Sequence, residues 1–260
     1  MFLEERAAAA MSATDAERIA ADLYGITAVV TVLPGEYDCN FHLRASGGRE
    51  FVLKCMHPAR EKSFIEMQCA ALEHLSKTAP HLPLPRVQRN SQGQLLAEIA
   101  DGADQKRVVW MLSFLPGATL EKTNPHSPEI LEGLGKFLGE LDSALQNFAH
   151  PGVHRELKWD SSRAAWIGDQ LHHLEESSRR ALVEYFISLY QEEVEPRRDE
   201  LRQSAIYGDA NDHNVLVSPA RPQPRKVAGV IDFGDMHYGW TVSEAAIAAA
   251  YAILGKENPL

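Results

Sequence analysis

The chain has 260 residues, of which 45% are hydrophobic and 24% are charged, a composition typical of a globular protein with one large domain or two lobes. A net charge of -10 argues against nucleic-acid binding, which normally needs a basic face, but permits an anionic ligand held by a few local donors and a metal. Three cysteines without a CxxC pair indicate reduced thiols in a cytoplasmic protein rather than a disulfide framework.

The first part of the chain predicts a β-rich lobe. Residues 14–25 predict a helix that Thr14 or Asp15 caps and Gly25 ends. The turn sequences PGEYD and SGGR separate three strand-like runs, which favours an antiparallel meander. The predicted strands are 28–33, 39–45, 50–55, 94–100 and 107–114, with a helix over 61–77.

The second part predicts a mainly helical lobe. Helices are expected near 127–147, 161–175 and 178–200, then short strands over 206–232 and a final helix from about 242. The fold class is therefore α+β with two lobes, 1–114 and 115–260. No signal peptide is expected at the N-terminus, and the apolar run 245–254 is about half the length that crosses a bilayer, so no membrane association is predicted.

The segment YGDANDHNVLV at 207–217 places several oxygen ligands in one polar loop between apolar flanks. Asp232 follows downstream at the end of another apolar run. Phosphoryl transfer needs one carboxylate that orients the attacking hydroxyl and accepts its proton, and an amide oxygen and a second carboxylate that hold Mg²⁺. Asp209, Asn214 and Asp232 match these roles in order, whereas Asp212 and His213 are expected to be turn residues.

Phosphate chemistry also calls for a lysine on a strand, oriented by a glutamate from a neighbouring helix. FVLKC supplies Lys54, and Glu66 is preferred over Glu61 and Glu73 because it follows an apolar pair in the middle of the predicted helix. Gly35, in LPGEYDCN, belongs to a turn that can close over phosphates.

Together, the strand lysine, GDxxxxN and DFG resemble the protein-kinase-like superfamily, and YGDANDHN resembles its aminoglycoside phosphotransferase and choline kinase branch. The resemblance covers roughly residues 15–256. The patterns EYDCNF, SFLPG and LKWD are most similar to hydroxylysine kinases and to the kinase-type domain that is fused to class III aminotransferases. The resemblance implies a bilobal fold with an antiparallel sheet in the N-terminal lobe.

The resemblance also implies roles for individual residues. Asp209 would be the catalytic base, Asn214 and Asp232 would bind Mg²⁺, and Lys54, paired with Glu66, would contact the α- and β-phosphates of ATP or GTP. The remaining implied residues form three sets: Gly35, Asp38 and Asn40 in the nucleotide loop; Met111, Leu112, Ser113 and Phe114 at the hinge with the base; and Asp235, Trp159 and Asp160 near the substrate.

Two departures from the family pattern qualify the resemblance. Tyr207 stands where the family usually has histidine, although tyrosine can pack there and donate one hydrogen bond. The sequence stops at KENPL, whereas the branch usually continues for about 60–100 residues, so the expectation is a shortened C-terminal lobe, with fused domains or a partner completing the substrate pocket.

The leading hypothesis is phosphate transfer to a hydroxyl of an amine-bearing alcohol, because an acidic site suits a cationic substrate. Hydroxylysine-like acceptors are favoured, aminoglycosides come next, and homoserine-like compounds follow. One alternative is a nucleotide-binding module of a longer enzyme with little activity of its own. Another is a metal-dependent hydrolase that uses Asp209, Asp212, His213 and Asp232.

Overall fold

The computed structural model describes residues 11–219 and 224–255. The N-terminal sequence considered for a signal peptide lies partly outside the described residues, and the chain end KENPL, 256–260, lies wholly outside them. The chain divides into two compact units: unit 1 runs to Gly117 and includes Ala228–Ile231, and unit 2 comprises Ala118–Val227 and the residues from Asp232 onward. The lobes 1–114 and 115–260 stay a prediction, because a division by contacts does not test independent folding.

The helices and strands follow one another along both units. The helices are α1 (Ala13–Tyr24), α2 (Lys62–Thr78), α3 (Pro128–Leu145), α4 (Ser177–Leu189) and α5 (Val242–Ile253). The strands are β1 (Ala28–Leu33), β2 (Cys39–Ala45), β3 (Glu50–Cys55), β4 (Val87–Gln88), β5 (Ala97–Ala100), β6 (Lys106–Ser113), β7 (Ala118–Thr119), β8 (Gln203–Ile206), β9 (Val215–Val217), β10 (Val227–Val230) and β11 (His237–Trp240).

Unit 1 is built on an antiparallel sheet with the strand order β1-β2-β3-β6-β4, and β5 also pairs with β6. The predicted meander of the first three strands is confirmed. Alternate side chains of β2 and β3 point into the core, so Phe41, Leu43 and Leu53 are completely buried. Period-two burial of this kind fixes the register, because a one-residue slip would expose these three side chains to water.

Helix α1 packs its buried face, with Ile19 and Ala20, into the same core as β2 and β3. The predicted cap was wrong: Ser12, not Thr14 or Asp15, precedes the first turn. The Ser12 hydroxyl accepts the Asp15 N–H at 3.1 Å, and the Asp15 carboxylate accepts the Ser12 N–H at 3.0 Å, a reciprocal capping box. Gly25 ends the helix in the left-handed region, as predicted.

Unit 2 combines helices with two small antiparallel strand pairs, β8 with β11 and β7 with β9. Helix α3 begins at Pro128 with the Ser127 hydroxyl as its cap and buries an apolar face that includes Leu134, Leu138 and Leu141. Helix α3 packs against both β8 and α5, so it supports the strand that leads into the YGD sequence.

The region from 161 to 200 departs from the two long helices predicted there. Residues Ser161–His173 form a 3₁₀ segment that is kinked at Arg163, and only Ser177–Leu189 is α-helical. The chain continues as a π turn and then as a 3₁₀ turn beginning at Glu195, because Pro196 lacks the N–H that an α-helix would need. Within the described residues, no helix is long and apolar enough to cross a membrane.

Candidate active site

The YGD segment of unit 2 leaves β8 through a tight turn at Gly208, whose φ of +76° lies in the left-handed region. A Cβ at this position would lie 3.1 Å from the Asp235 carbonyl oxygen and from the His237 ring. Glycine is therefore required by both conformation and space. The turn places Asp209 two residues after the completely buried Tyr207, whose ring packs edge-on against Phe233.

Two amide side chains of the same loop hold the Asp209 carboxylate. Asn211 Nδ2 donates to Oδ1 at 2.7 Å, and Asn214 Nδ2 donates to Oδ2 at 2.6 Å. The Asn211 side-chain oxygen also accepts the backbone N–H groups of His213 and Asn214, at 2.9 and 3.0 Å. Asn211, which the sequence analysis did not single out, therefore shapes the turn and orients the carboxylate, acting as an Asx-type turn residue.

Asp209 lies in an environment that disfavours its charge. Burial raises its pKa to about 7, repulsion from Asp235 and Asp232 adds to the rise, and the hydrogen bonds from Asn211 and Asn214 oppose it. A carboxylate with a pKa near neutrality suits a general base. Asp212 and His213 lie in the turn, and the His213 side chain is 72% exposed, so their role as turn residues agrees with the structure.

Asp232 begins a second loop, shortly after β10, and has a φ of +59°. A positive φ is uncommon for residues other than glycine, though less so for aspartate. The Asp232 Oδ1 atom accepts the Gly234 N–H at 3.0 Å, which stabilises this turn. A strained backbone held by such a local bond is often found where a side chain must point in one direction.

The loop after Asp232 is anchored by an arginine and a histidine that the sequence analysis missed. Arg155 donates to the Gly234 carbonyl oxygen and lies 3.6 Å from the Asp235 carboxylate. The buried His237 donates Nδ1–H to the Asp235 carbonyl oxygen at 2.9 Å, and its Nε2 lies 3.8 Å from Asp160 Oδ1. Only the tertiary structure brings these distant sequence segments together.

The predicted substrate residues differ in their surroundings. Asp160 is mostly buried and its Oδ1 accepts the Ser162 N–H at 2.9 Å, so it caps the following 3₁₀ segment. Trp159 is 67% exposed, and the Lys158 ammonium lies 5.6 Å from its ring centre. Asp235 is close enough to Asp209 to repel its charge, so it belongs to the same carboxylate cluster.

A buried glutamate on α5 supports the loop that carries Asp209. Glu244 is completely buried, and its Oε2 accepts the Gly208 N–H at 2.8 Å. This bond satisfies a backbone donor next to Asp209 that the tight turn would otherwise leave unpaired. A glutamate within an otherwise apolar helical sequence, SEAAIAAAY, was the signal that could have revealed it.

In unit 1, the loop between β1 and β2 contains the predicted nucleotide-binding residues. A Cβ at Gly35 would lie 2.2 Å from the Asp38 carbonyl oxygen, so only glycine fits. Asn40 Nδ2 donates to the Pro34 carbonyl oxygen at 3.2 Å and closes the loop. Asp38 Oδ1 accepts the His57 N–H at 2.7 Å, and its other oxygen lies 3.4 Å from Arg60, which ties the loop to the segment before α2.

Lys54 lies on β3, opposite Asn40 of β2 and Trp110 of β6, and its ammonium is 5.8 Å from the Trp110 ring centre. Glu66 is 50% exposed on α2 and lies 4.0 Å from Lys62, which also contacts Glu98 at 3.3 Å. The pairing of Glu66 with Lys54 stays a prediction.

The predicted hinge, Met111 to Phe114, comprises the end of β6 and the residue that follows it. Two of its backbone donors already have partners in unit 1: Ser113 N–H donates to the Arg86 carbonyl oxygen at 2.8 Å, and Phe114 N–H donates to that of Glu50 at 3.1 Å. A nucleotide base could therefore use these two donors only by exchanging those bonds.

The ligand set of unit 2 fits a hard divalent cation. The Asn214 Nδ2 atom donates to Asp209, so the amide oxygen would be the ligand atom of Asn214, and Asp232 would supply a carboxylate. Magnesium accepts such oxygen ligands and usually retains water and phosphate oxygens in its remaining positions. Among the described residues, no group of three or more His, Cys, Asp or Glu side chains could hold a metal, so the set required by the hydrolase alternative is not formed.

Solved structures show the fold. An amicoumacin kinase in complex with AMP-PNP and Ca²⁺ superimposes with a TM-score of 0.69 at 16% identity, over 96% of this chain and 72% of that one. A microcompartment-associated aminopropanol kinase has the same TM-score at 21% identity, over 93% and 75% of the two chains. The fold is therefore an α+β protein-kinase-like fold, as predicted.

The family model of the phosphotransferase enzyme family, APH, matches residues 29–258, and the chain belongs to this family. Hydroxylysine kinase of Danio rerio is 34% identical over 248 residues, which cover 92% of this chain and 69% of the relative. Hydroxylysine kinase of Xenopus laevis is 30% identical over 270 residues, which cover 96% and 72%. The predicted family is confirmed.

Proposed function

We propose that the protein transfers the γ-phosphate of ATP or GTP to a hydroxyl group of a small amine-bearing alcohol, with a hydroxylysine-like compound as the favoured acceptor. The observation that carries the acceptor class is the cluster of Asp209, Asp232 and Asp235, whose charges repel one another within unit 2. An ammonium group on the substrate would reduce this repulsion, so the negative electrostatic potential of the cluster favours cationic acceptors. The names of the relatives, hydroxylysine kinases, point the same way.

Asp209 is the proposed catalytic base. Its carboxylate is oriented by Asn211 and Asn214, which limits its motion and directs it toward the acceptor hydroxyl. As that hydroxyl attacks phosphorus, Asp209 accepts its proton. Asp235, held by Arg155, and the Trp159–Asp160 segment are the proposed contacts for the rest of the acceptor.

Asn214 and Asp232 are the proposed ligands of Mg²⁺, which would neutralise charge on the transferred phosphate. Lys54, with Glu66, would contact the α- and β-phosphates. The loop of Gly35, Asp38 and Asn40 would cover the phosphates, and the backbone of Met111, Leu112, Ser113 and Phe114 would meet the base. These unit 1 assignments are supported by the tight, internally bonded loop and by the position of Lys54 on β3.

The test is phosphate transfer from ATP and from GTP to a panel of amino alcohols, with hydroxylysine, an aminoglycoside and homoserine as representatives. The expected result is turnover that requires an ammonium group on the acceptor and that D209N abolishes. Full activity of D209N and D232A would contradict the assignment. Stabilisation by Mg²⁺ with nucleotide, without turnover of any acceptor, would favour the alternative of a nucleotide-binding module.

A further inference from the structure

Helices α3 and α5 place a second carboxyl group near Glu244 beneath the catalytic loop. Asp142, on α3, is only 9% exposed, and its charge is close enough to raise the pKa of Glu244. One oxygen of each side chain, Asp142 Oδ1 and Glu244 Oε1, is buried without a hydrogen-bond partner among the described residues. Two buried carboxyl groups that interact electrostatically, each with an unpartnered oxygen, are costly unless one of them carries a proton.

A single proton resolves both deficits. Two ionised carboxylates can only accept hydrogen bonds, whereas a protonated carboxyl group donates one. That proton would lie mainly on Glu244, whose pKa is the higher of the two, and Glu244 Oε1 would donate it toward Asp142, directly or through one bridging water molecule, while Glu244 Oε2 continues to accept the Gly208 N–H at 2.8 Å.

We propose that Asp142 and Glu244 form a buried carboxyl pair that shares one proton, and that Asp142 is thereby a positioning residue for the catalytic loop. The charge of Asp142 acts on Glu244, and Glu244 in turn accepts the Gly208 N–H, next to Asp209. Asp142 does not contact the reacting atoms. The positioning role for the reaction rests on the proposed function, whereas the shared proton does not.

The charged and titratable groups around the pair are consistent with this state. Burial raises the pKa of Glu244 to about 8; the Gly208 and Tyr207 N–H groups oppose the rise, and Asp142 and Asp209 add to it. Burial raises the pKa of Asp142 to about 6, with Arg202 opposing. Tyr207 keeps its proton, because burial raises the pKa of its phenol well above the ordinary value.

The pair predicts how stability depends on pH. Both folded-state pKa values lie above those of the unfolded chain, so the protonated pair stabilises the fold at low pH. The loss begins above the ordinary pKa values, 3.8 for Asp142 and 4.5 for Glu244, and is complete once the pH exceeds the raised values, about 6 and about 8. Asp209, whose pKa is raised to about 7, adds its own loss, so the pair is identified by the part of the loss that disappears when one of its acids is removed.

The experiment measures the melting temperature of the full chain between about pH 4 and about pH 9 for wild type, D142N and L141A. In D142N the amide can hydrogen-bond to Glu244 without titrating, so the loss should be smaller than that of wild type, most clearly between about pH 4 and about pH 6, where Asp142 itself contributes. L141A, from the same buried helix face, lowers the melting temperature at every pH but should keep the wild-type loss. A D142N loss as steep as that of wild type, or an equally flattened loss in L141A, would overturn the shared proton.

The second measurement tests positioning. D142N, which retains a donor, should keep kcat within about threefold of wild type, whereas D142L should lower kcat about tenfold with an unchanged KM for the nucleotide. Wild-type kcat in folded D142L would overturn the positioning role. The melting-temperature measurement does not require catalytic activity. It therefore tests the shared proton even if the proposed function is wrong.

Discussion

Asn214 donates its side-chain amide hydrogen to Asp209 Oδ2 at 2.6 Å, five residues away along the same loop. This bond orients the carboxylate, and because it uses Nδ2 as the donor, it leaves the amide oxygen of Asn214 available to other partners. The spacing of the two residues is therefore a structural requirement, because the turn between them, closed by Asn211, brings the side chains into contact.

Replacing the proposed base tests this loop directly. D209N should lower kcat by about a thousandfold, because the carboxamide cannot accept a proton, while nucleotide binding should persist. The measurement is steady-state kinetics together with thermal stabilisation by the nucleotide. D212N, in the same turn, is the matched control and should retain activity. Equal losses in D209N and D212N would contradict the separate roles.

Removing the metal should separate binding from folding. Chelation with EDTA should abolish turnover and the thermal stabilisation by ATP, while the melting temperature of the ligand-free chain should change little, because the ligand set contains only one carboxylate and one amide oxygen. N214A and D232A should each weaken the Mg²⁺-dependent stabilisation by about tenfold in apparent affinity. Undiminished stabilisation in both variants would exclude these residues as ligands.

The loop at Gly35 offers a sharp steric test. G35A places a methyl group 2.2 Å from the Asp38 carbonyl oxygen, so the loop must move. We expect the KM for the nucleotide to rise about tenfold, with a smaller effect on the KM for the acceptor. G102A is the control, because a Cβ there has no neighbour within 4 Å. An unchanged nucleotide KM in G35A would remove this loop from the nucleotide site.

Arg155 should affect kcat indirectly, through the loop after Asp232 that it anchors. R155M removes the bond to the Gly234 carbonyl oxygen and the ion pair with Asp235, so the loop after Asp232 loses its anchor. We expect kcat to fall about tenfold to a hundredfold, because small displacements of reacting groups are costly. R163M is the control, since the ion pair of Arg163 among the described residues is with the exposed Glu156, at 3.0 Å. A wild-type kcat for R155M would show that the loop needs no such anchor.

The predicted elements succeeded where local patterns dominate. Alternating side chains in 28–33, 39–45 and 50–55 indicated the meander, because each strand buries one face against the same core. The prediction of two long helices over 161–200 was wrong, although the apolar spacing there resembles that of a helix. None of the described helical segments in this region has a fully buried residue, and Pro196 interrupts the backbone hydrogen bonding.

The sequence by itself determined the family and the inventory of candidate chemistry. Asp209, Asn214, Asp232 and Lys54 stand in motifs whose spacing is local, so a linear reading can recognise them. Only the tertiary structure revealed the supports: Arg155 on Gly234, Glu244 on Gly208, and Asp142 near Glu244. The residues of these pairs are between 36 and 102 positions apart along the chain. Burial and hydrogen bonding across such separations depend on how the chain packs, which no local pattern encodes.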